Sequence, residues 1–113
     1  MHITGGAYTK LKDIMAESDI TNTMIDIIIG NEHEVKPQKI FYELYKKKVS
    51  DKDMYKTFNC GVGFVLSSGE KEARNIVGEI KSGGFEADVI GKVVAGSGKV
   101  KIDSMFSNKI IEL

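Results

Sequence analysis

The chain has 113 residues, 42% of them hydrophobic and 28% charged, which is the size and composition of one domain with a single core. Sixteen basic and sixteen acidic side chains cancel, which excludes a protein that binds nucleic acid by broad phosphate neutralisation. One cysteine excludes an internal disulfide, no apolar run reaches the roughly 20 residues of a membrane span, and MHITGGAYTK is not a signal peptide, so a cytoplasmic protein without a membrane partner is expected.

The first element reads as a helix entered through Thr4-Gly5-Gly6, with Tyr8, Leu11, Ile14 and Met15 on one face. Residues 17–23, ESDITNT, read as a loop, and MIDIIIG (24–30) as a buried strand closed by Gly30. Pro37 suits the first turn of a second helix carrying the stripe Ile40, Phe41, Leu44 and Tyr45. SDKDM (50–54) reads as a short turn capped by Ser50, with Asp53 three residues on. TFNCGVGFVL (57–66) reads as a core strand. Ser68 is placed to cap a third helix through Ala73, Ile76, Val77 and Ile80, which Gly83-Gly84 ends. FEADVIGKVVA (85–95) is expected as a strand, GSGK (96–99) as a hairpin turn, and VKID (100–103) and KIIEL (109–113) as further strands. This order predicts an α+β domain, a layered α/β arrangement in which helices pack on one mixed sheet.

Four stretches carry candidate chemistry. In His2-Ile3-Thr4-Gly5-Gly6 the two glycines allow a tight turn that aims backbone N–H groups outward at a helix start, a seat for phosphate. Thr4 adds a hydroxyl, and histidine is the side chain suited to proton transfer near neutral pH. A plain N-terminal cap is the simpler reading of the same residues. Gly96-Ser97-Gly98-Lys99 resembles the end of a P-loop, but neither Val93 nor Val94 is the glycine required upstream, and Val100 follows the lysine where Ser or Thr is required. Cys60 lacks a base and an electropositive setting in its local sequence and reads as a small buried hydrophobe. Gly61 and Gly63 need an offsetting reason in a strand: a helix or loop packed over them, or a ligand against the backbone. Asn59 shares their face by the period of two. Lys46-Lys47-Lys48 reads as a solvated helix end, and Glu32-His33-Glu34 has no third metal ligand in view.

Taken together, HITGGA (2–7), PQKIFYEL (37–44), MYKTFNCGVGFVL (54–66) and VIGKVVAGSGKV (89–100) closely resemble the C-terminal domain of phosphoribosylformylglycinamidine cyclo-ligase, the AIR synthetase family. The resemblance runs from His2 to about Ile102. It implies a single domain over residues 1–113 with that family's mixed, partly ferredoxin-like sheet, and an N-terminal ATP-binding domain or subunit outside them as partner. It implies an ATP-dependent ligase of purine biosynthesis that closes the imidazole ring of formylglycinamidine ribonucleotide, with ATP and Mg2+ in the complete enzyme and neither held by this chain alone. A phosphoribosyl substrate and a homo-oligomer, a dimer in the family, are implied as well. By matching position, His2 is the catalytic candidate. Thr4, Gly5 and Gly6 are the substrate- or phosphate-binding candidates, joined by Asn59 and Gly61 along the strand. A second reading from the same resemblance is a noncatalytic binding or assembly module. Two departures stand out: Ala7 occupies the place of a third glycine, and TKLKDIM replaces the family's Asn and Pro-Arg, so no arginine contact carries over.

Overall fold

The computed structural model describes residues 1–17 and 24–113, with Ala16 and Glu17 described by backbone alone. The ESDITNT loop therefore lies outside the described residues except for its first position. A 3-10 turn, Ala7–Lys10, leads into α1 (Leu11–Glu17), and β1 (Ile25–Ile29) follows. Three helices come next, α2 (Lys39–Lys46), α3 (Asp51–Thr57) and α4 (Glu70–Ser82), then β2 (Gly91–Ala95), β3 (Val100–Asp103) and β4 (Ile110–Glu112).

The strands form one sheet in the order β2-β1-β3-β4. β1 runs antiparallel to β2 and parallel to β3, and β4 is antiparallel to β3, which makes the sheet mixed. Ile27 pairs with Val100 and Ile29 with Ile102, so four branched side chains share one face. That face carries the core, together with Ile3, Tyr8, Leu11, Met54, Tyr55, Cys60 and Val62. The expected α+β layering is present.

Several elements depart from expectation for local reasons. TFNCGVGFVL is not a sheet strand. Thr57 ends α3, and Cys60 and Gly61 take successive positive φ values of 49° and 96°, which no ladder accommodates. Beyond that turn the segment pairs with the N-terminus. Ile3 N–H donates to Gly63 O at 2.8 Å, Val65 N–H donates to Met1 O at 2.9 Å, and His2 faces Phe64 in a single antiparallel bridge. GSGK is not a hairpin turn either, because its flanking strands β2 and β3 are held apart by β1 and the loop crosses the end of that strand. Pro37 precedes Gln38, the residue before the first turn of α2, rather than entering the helix. The Ser50 cap holds, accepting from Asp53 N–H at 3.1 Å, but it starts a seven-residue helix. Ser68 does not cap α4: its hydroxyl donates to Gly69 O, and Gly69 occupies the N-cap position ahead of Glu70.

At the other end of α4, Gly84 adopts φ +88°, and the N–H groups of Gly84 and Phe85 return to the carbonyls of Lys81 and Ile80. This closes the helix as expected of Gly83-Gly84. No residue of α4 is fully buried. Its apolar stripe is half-covered, and ion pairs Arg74–Asp88 at 3.4 Å and Lys81–Glu34 at 2.9 Å add to its attachment.

Candidate functional site

The N-terminal loop is built from two constraints. Pairing with residues 63–65 fixes Met1–Ile3, and Ile3 anchors the loop in the core at 1% exposure. The chain then turns on Gly6 at φ +83° and Ala7 at φ +44° before the 3-10 turn. Ala7 therefore holds a left-handed conformation that costs a non-glycine residue roughly 1–2 kcal/mol, partly offset by the burial of its methyl group.

His2, Thr4, Gly5 and Gly6 remain exposed on this anchored loop. The His2 ring stacks on Phe64 with centroids 4.7 Å apart and planes 9° from parallel, so one face of the imidazole is covered. Lys10 Nζ donates to Thr4 Oγ1 at 2.6 Å, bringing a cation back over the loop. Thr9 Oγ1 donates to Gly6 O. A cation, a hydroxyl, an imidazole and a glycine turn thus lie on one short stretch. Lys10 and Phe64 were not among the sequence candidates. Phe64 is reached only through the bridge to His2, and the return of Lys10 depends on the 3-10 turn, which the helical reading of Tyr8 to Met15 hides.

Asn59 and Gly61 join this region from behind. The Tyr8 hydroxyl donates to Asn59 O at 3.0 Å, tying the 59–62 turn to the 3-10 turn. Asn59 Oδ1 accepts from Gly61 N–H at 3.0 Å, an Asx turn that stabilises the loop itself. A methyl on Gly61 would sit 2.5 Å from Lys36 O and 3.0 Å from Pro37 Cα. The clearance at Gly61 is thus filled by the backbone ahead of α2, the packing alternative left open by the sequence. Nothing lies within 4 Å of the same position on Gly63. Cys60 is buried, and burial pushes its thiol up to about 12, which leaves it protonated and inert at neutral pH.

The GSGK loop closes around Asp26. Oδ1 of that carboxylate accepts from Ser97 N–H at 2.7 Å and Lys99 N–H at 2.9 Å, and Lys101 Nζ lies 3.6 Å from Oδ2. The Lys99 and Ser97 amides, with Lys101, hold Asp26 below the usual carboxylate range. The amides that a P-loop would aim at phosphate are occupied by the protein's own anion. Among the described residues no group of three or more His, Cys, Asp or Glu side chains could hold a metal ion.

The fold and the loop define a class: an α+β domain that presents a polar glycine loop on an open face, beside the exposed side chains of Phe64 and Leu66. The chain belongs to the family described as AIR synthase related protein, C-terminal domain, which matches residues 1–103. It is similar to proteins named phosphoribosylformylglycinamidine cyclo-ligase. It is 36% identical to that of Clostridium novyi over 84% of this chain and 27% of the relative. It is 34% identical to that of Lysinibacillus sphaericus over 88% and 27%. It is 35% identical to that of Methanocaldococcus jannaschii over 82% and 24%. The chain thus spans about a quarter of the length of these relatives. No solved structure matches it.

Proposed function

We propose that the chain acts as the C-terminal domain of a phosphoribosylformylglycinamidine cyclo-ligase, forming one wall of a cleft whose other wall binds ATP. In this reading the complete enzyme closes the imidazole ring of formylglycinamidine ribonucleotide to aminoimidazole ribonucleotide. The family and the names of its relatives support the reaction class. The observation that carries the assignment to this surface is the anchored, exposed His2–Gly6 loop with Lys10 folded onto it.

In the proposal Thr4, Gly5, Gly6 and Lys10 engage a phosphate group of the substrate. His2, its ring oriented by Phe64, gives or takes a proton as the ring closes. Asn59 and Gly61 hold the supporting turn in register with Tyr8. ATP supplies activation of the formyl oxygen. In the proposal the partner half holds ATP together with its magnesium.

The test combines the chain with a separately produced nucleotide-binding half, ATP, magnesium and formylglycinamidine ribonucleotide. Ring closure is expected only in the mixture, and turnover by the chain alone would remove the half-site reading. His2→Ala in the reconstituted enzyme is expected to lower kcat by about two to four orders of magnitude, the usual worth of general acid–base catalysis. A loss of only a few-fold would reduce His2 to positioning. A second reading, a noncatalytic assembly module, is favoured by the exposed apolar side chains Phe64, Leu66 and Phe85.

A further inference from the structure

The loop between β1 and α2 is anchored by an unexpected side chain. Over residues 31–36 every residue is exposed or half-buried except His33, which is 8% exposed. Its Nδ1 is fully enclosed and meets no hydrogen-bonding partner among the described residues. Buried nitrogens are almost always paired, and an apolar side chain would anchor the loop without leaving one orphaned. We propose that His33 is the pin of an acid-released latch, which holds α4 and residues 85–90 against the 31–36 loop while the ring is neutral and frees them when it takes up a proton. The latch uses none of the residues of the His2–Gly6 loop and stands apart from the reading above.

The attachment runs through the neighbours of His33. Glu34 N–H donates to Asp88 Oδ2 at 2.8 Å, and the Glu34 carboxylate accepts from Lys81 Nζ of α4 at 2.9 Å. Asp88 Oδ1 accepts from Val89 N–H at 2.8 Å and lies 3.4 Å from Arg74 of α4. Lys36 Nζ closes the loop by donating to Asn31 O at 2.9 Å. Gly30 N–H donates to Ile90 O at 2.9 Å where the 85–90 segment meets the end of β1. The apolar stripe of α4 is only half-covered, so these polar links carry more of its attachment than they would for a buried helix.

Protonation acts on this arrangement in one direction. An imidazolium has two N–H donors and a positive charge, and neither suits an enclosed position. The charged groups of the region are Glu32, Glu34 and Lys36 from the loop itself, Asp88 from the 85–90 segment, and Arg74 and Lys81 from α4. Asp88 and the carbonyls of Gly30 and Val35 favour the charged ring. Burial, and after it the Lys36 ammonium, outweigh them and hold His33 below the ordinary histidine value of 6.5. Asp88 is itself held below 3.8, chiefly by the Glu34 amide, and stays ionised while His33 titrates. A ring that reaches water when the loop swings out recovers its ordinary value. Opening therefore takes up a proton: the latch is closed above pH 6.5 and loosens as pH falls below it. Glu34 follows His33 in the chain, so the same swing draws its amide from Asp88 and its carboxylate from Lys81. Loop and helix are released together.

The test is amide hydrogen exchange of the chain between pH 7 and pH 5, read by 15N NMR and corrected for the intrinsic exchange rate. The opening constant of the α4 amides is expected to rise by up to about twenty-fold over that range, near the most that one histidine proton allows. His33→Gln and His33→Leu, which cannot take up the proton, are expected to remove the rise. No rise in the unaltered chain, or a rise that persists in either variant, would overturn the proposal. So would α4 protection equal to that of β1 and β3 at every pH, because the helix would then open only with the whole molecule. The His33 ring gives a reading that no substitution disturbs. Its C–H signal is expected to titrate below 6.5, and a midpoint at or above that value would overturn the latch as well.

Discussion

At the scale of single residues, two glycines that look alike in sequence have unlike surroundings. Gly61 combines a φ of +96° with backbone 2.5 Å from where a methyl would stand, whereas Gly63 faces open space. Gly61→Ala is therefore expected to cost about 2–4 kcal/mol, from the positive φ and the clash with Lys36 O together. Gly63→Ala should cost under about 1 kcal/mol. Denaturant midpoints of the two variants check this, and equal costs would mean that the Lys36–Pro37 backbone yields easily. Such contrasts were not legible in GVG. The sequence marks both positions as special, but the neighbour that makes one of them necessary, Lys36, lies 25 residues earlier in the chain.

At the scale of elements, the carboxylates that join loops to strands and helices set the acid behaviour. Asp26 is lowered by the Lys99 and Ser97 amides, and Asp88 by the Glu34 amide. For Asp51, burial pushes upward, but hydroxyl bonds from Ser104, Ser107 and Tyr45 outweigh it and leave the group below its ordinary value of 3.8. A carboxyl that is more acidic when folded contributes stability that is complete above the unfolded value and lost as pH falls through and below it. Unfolding free energy should therefore decline below about pH 4, and Asp26→Asn should flatten that decline. An unchanged acid limb in Asp26→Asn would show that the loop does not depend on the charge. Asp51→Ala, which leaves two serine hydroxyls without their acceptor, is expected to cost about 2–4 kcal/mol in chemical denaturation. Elements defined by their own periodicity were legible in sequence: β1, the stripe of α2, the body and glycine stop of α4, and the two C-terminal strands. Those defined by distant partners were not. The 62–66 segment reads as a sheet strand because it is apolar, yet its partner is the chain's first three residues. The flanks of GSGK read as a hairpin because nothing local announces that β1 lies between them. The candidate loop at residues 2–6 was legible as a motif, and its resemblance to one family was specific. Its companions Lys10 and Phe64 were visible only in three dimensions.

At the scale of the whole molecule, the core is one-sided and the remaining apolar surface is substantial. Phe64 is 67% exposed, Leu66 63% and Phe85 71%, and the stripe of α4 is only half-covered. Patches of this kind mark surfaces that meet a partner. Sedimentation of the isolated chain is expected to show concentration-dependent association, reduced in a Phe64→Ser, Leu66→Ser variant of unchanged thermal stability. A clean monomer across the micromolar range would count against the assembly reading and leave the two-walled cleft as the better account.

The crossing of GSGK over the end of β1 also bears on how the chain comes to be folded at all. Asp26 meets Ser97 and Lys99 across 71 and 73 residues, and both neighbours of β1 lie in the last quarter of the sequence. During synthesis the branched segment Ile25–Ile29 must therefore leave the ribosome and wait, unpaired, until β2 and β3 have followed it. Long-range pairing of this kind slows folding and leaves a strand-forming stretch open to wrong partners in the interval. β1 is the first strand made and gains neither neighbour until the last quarter of the chain has followed, so its nascent life, as well as its native packing, exposes this sequence to aggregation.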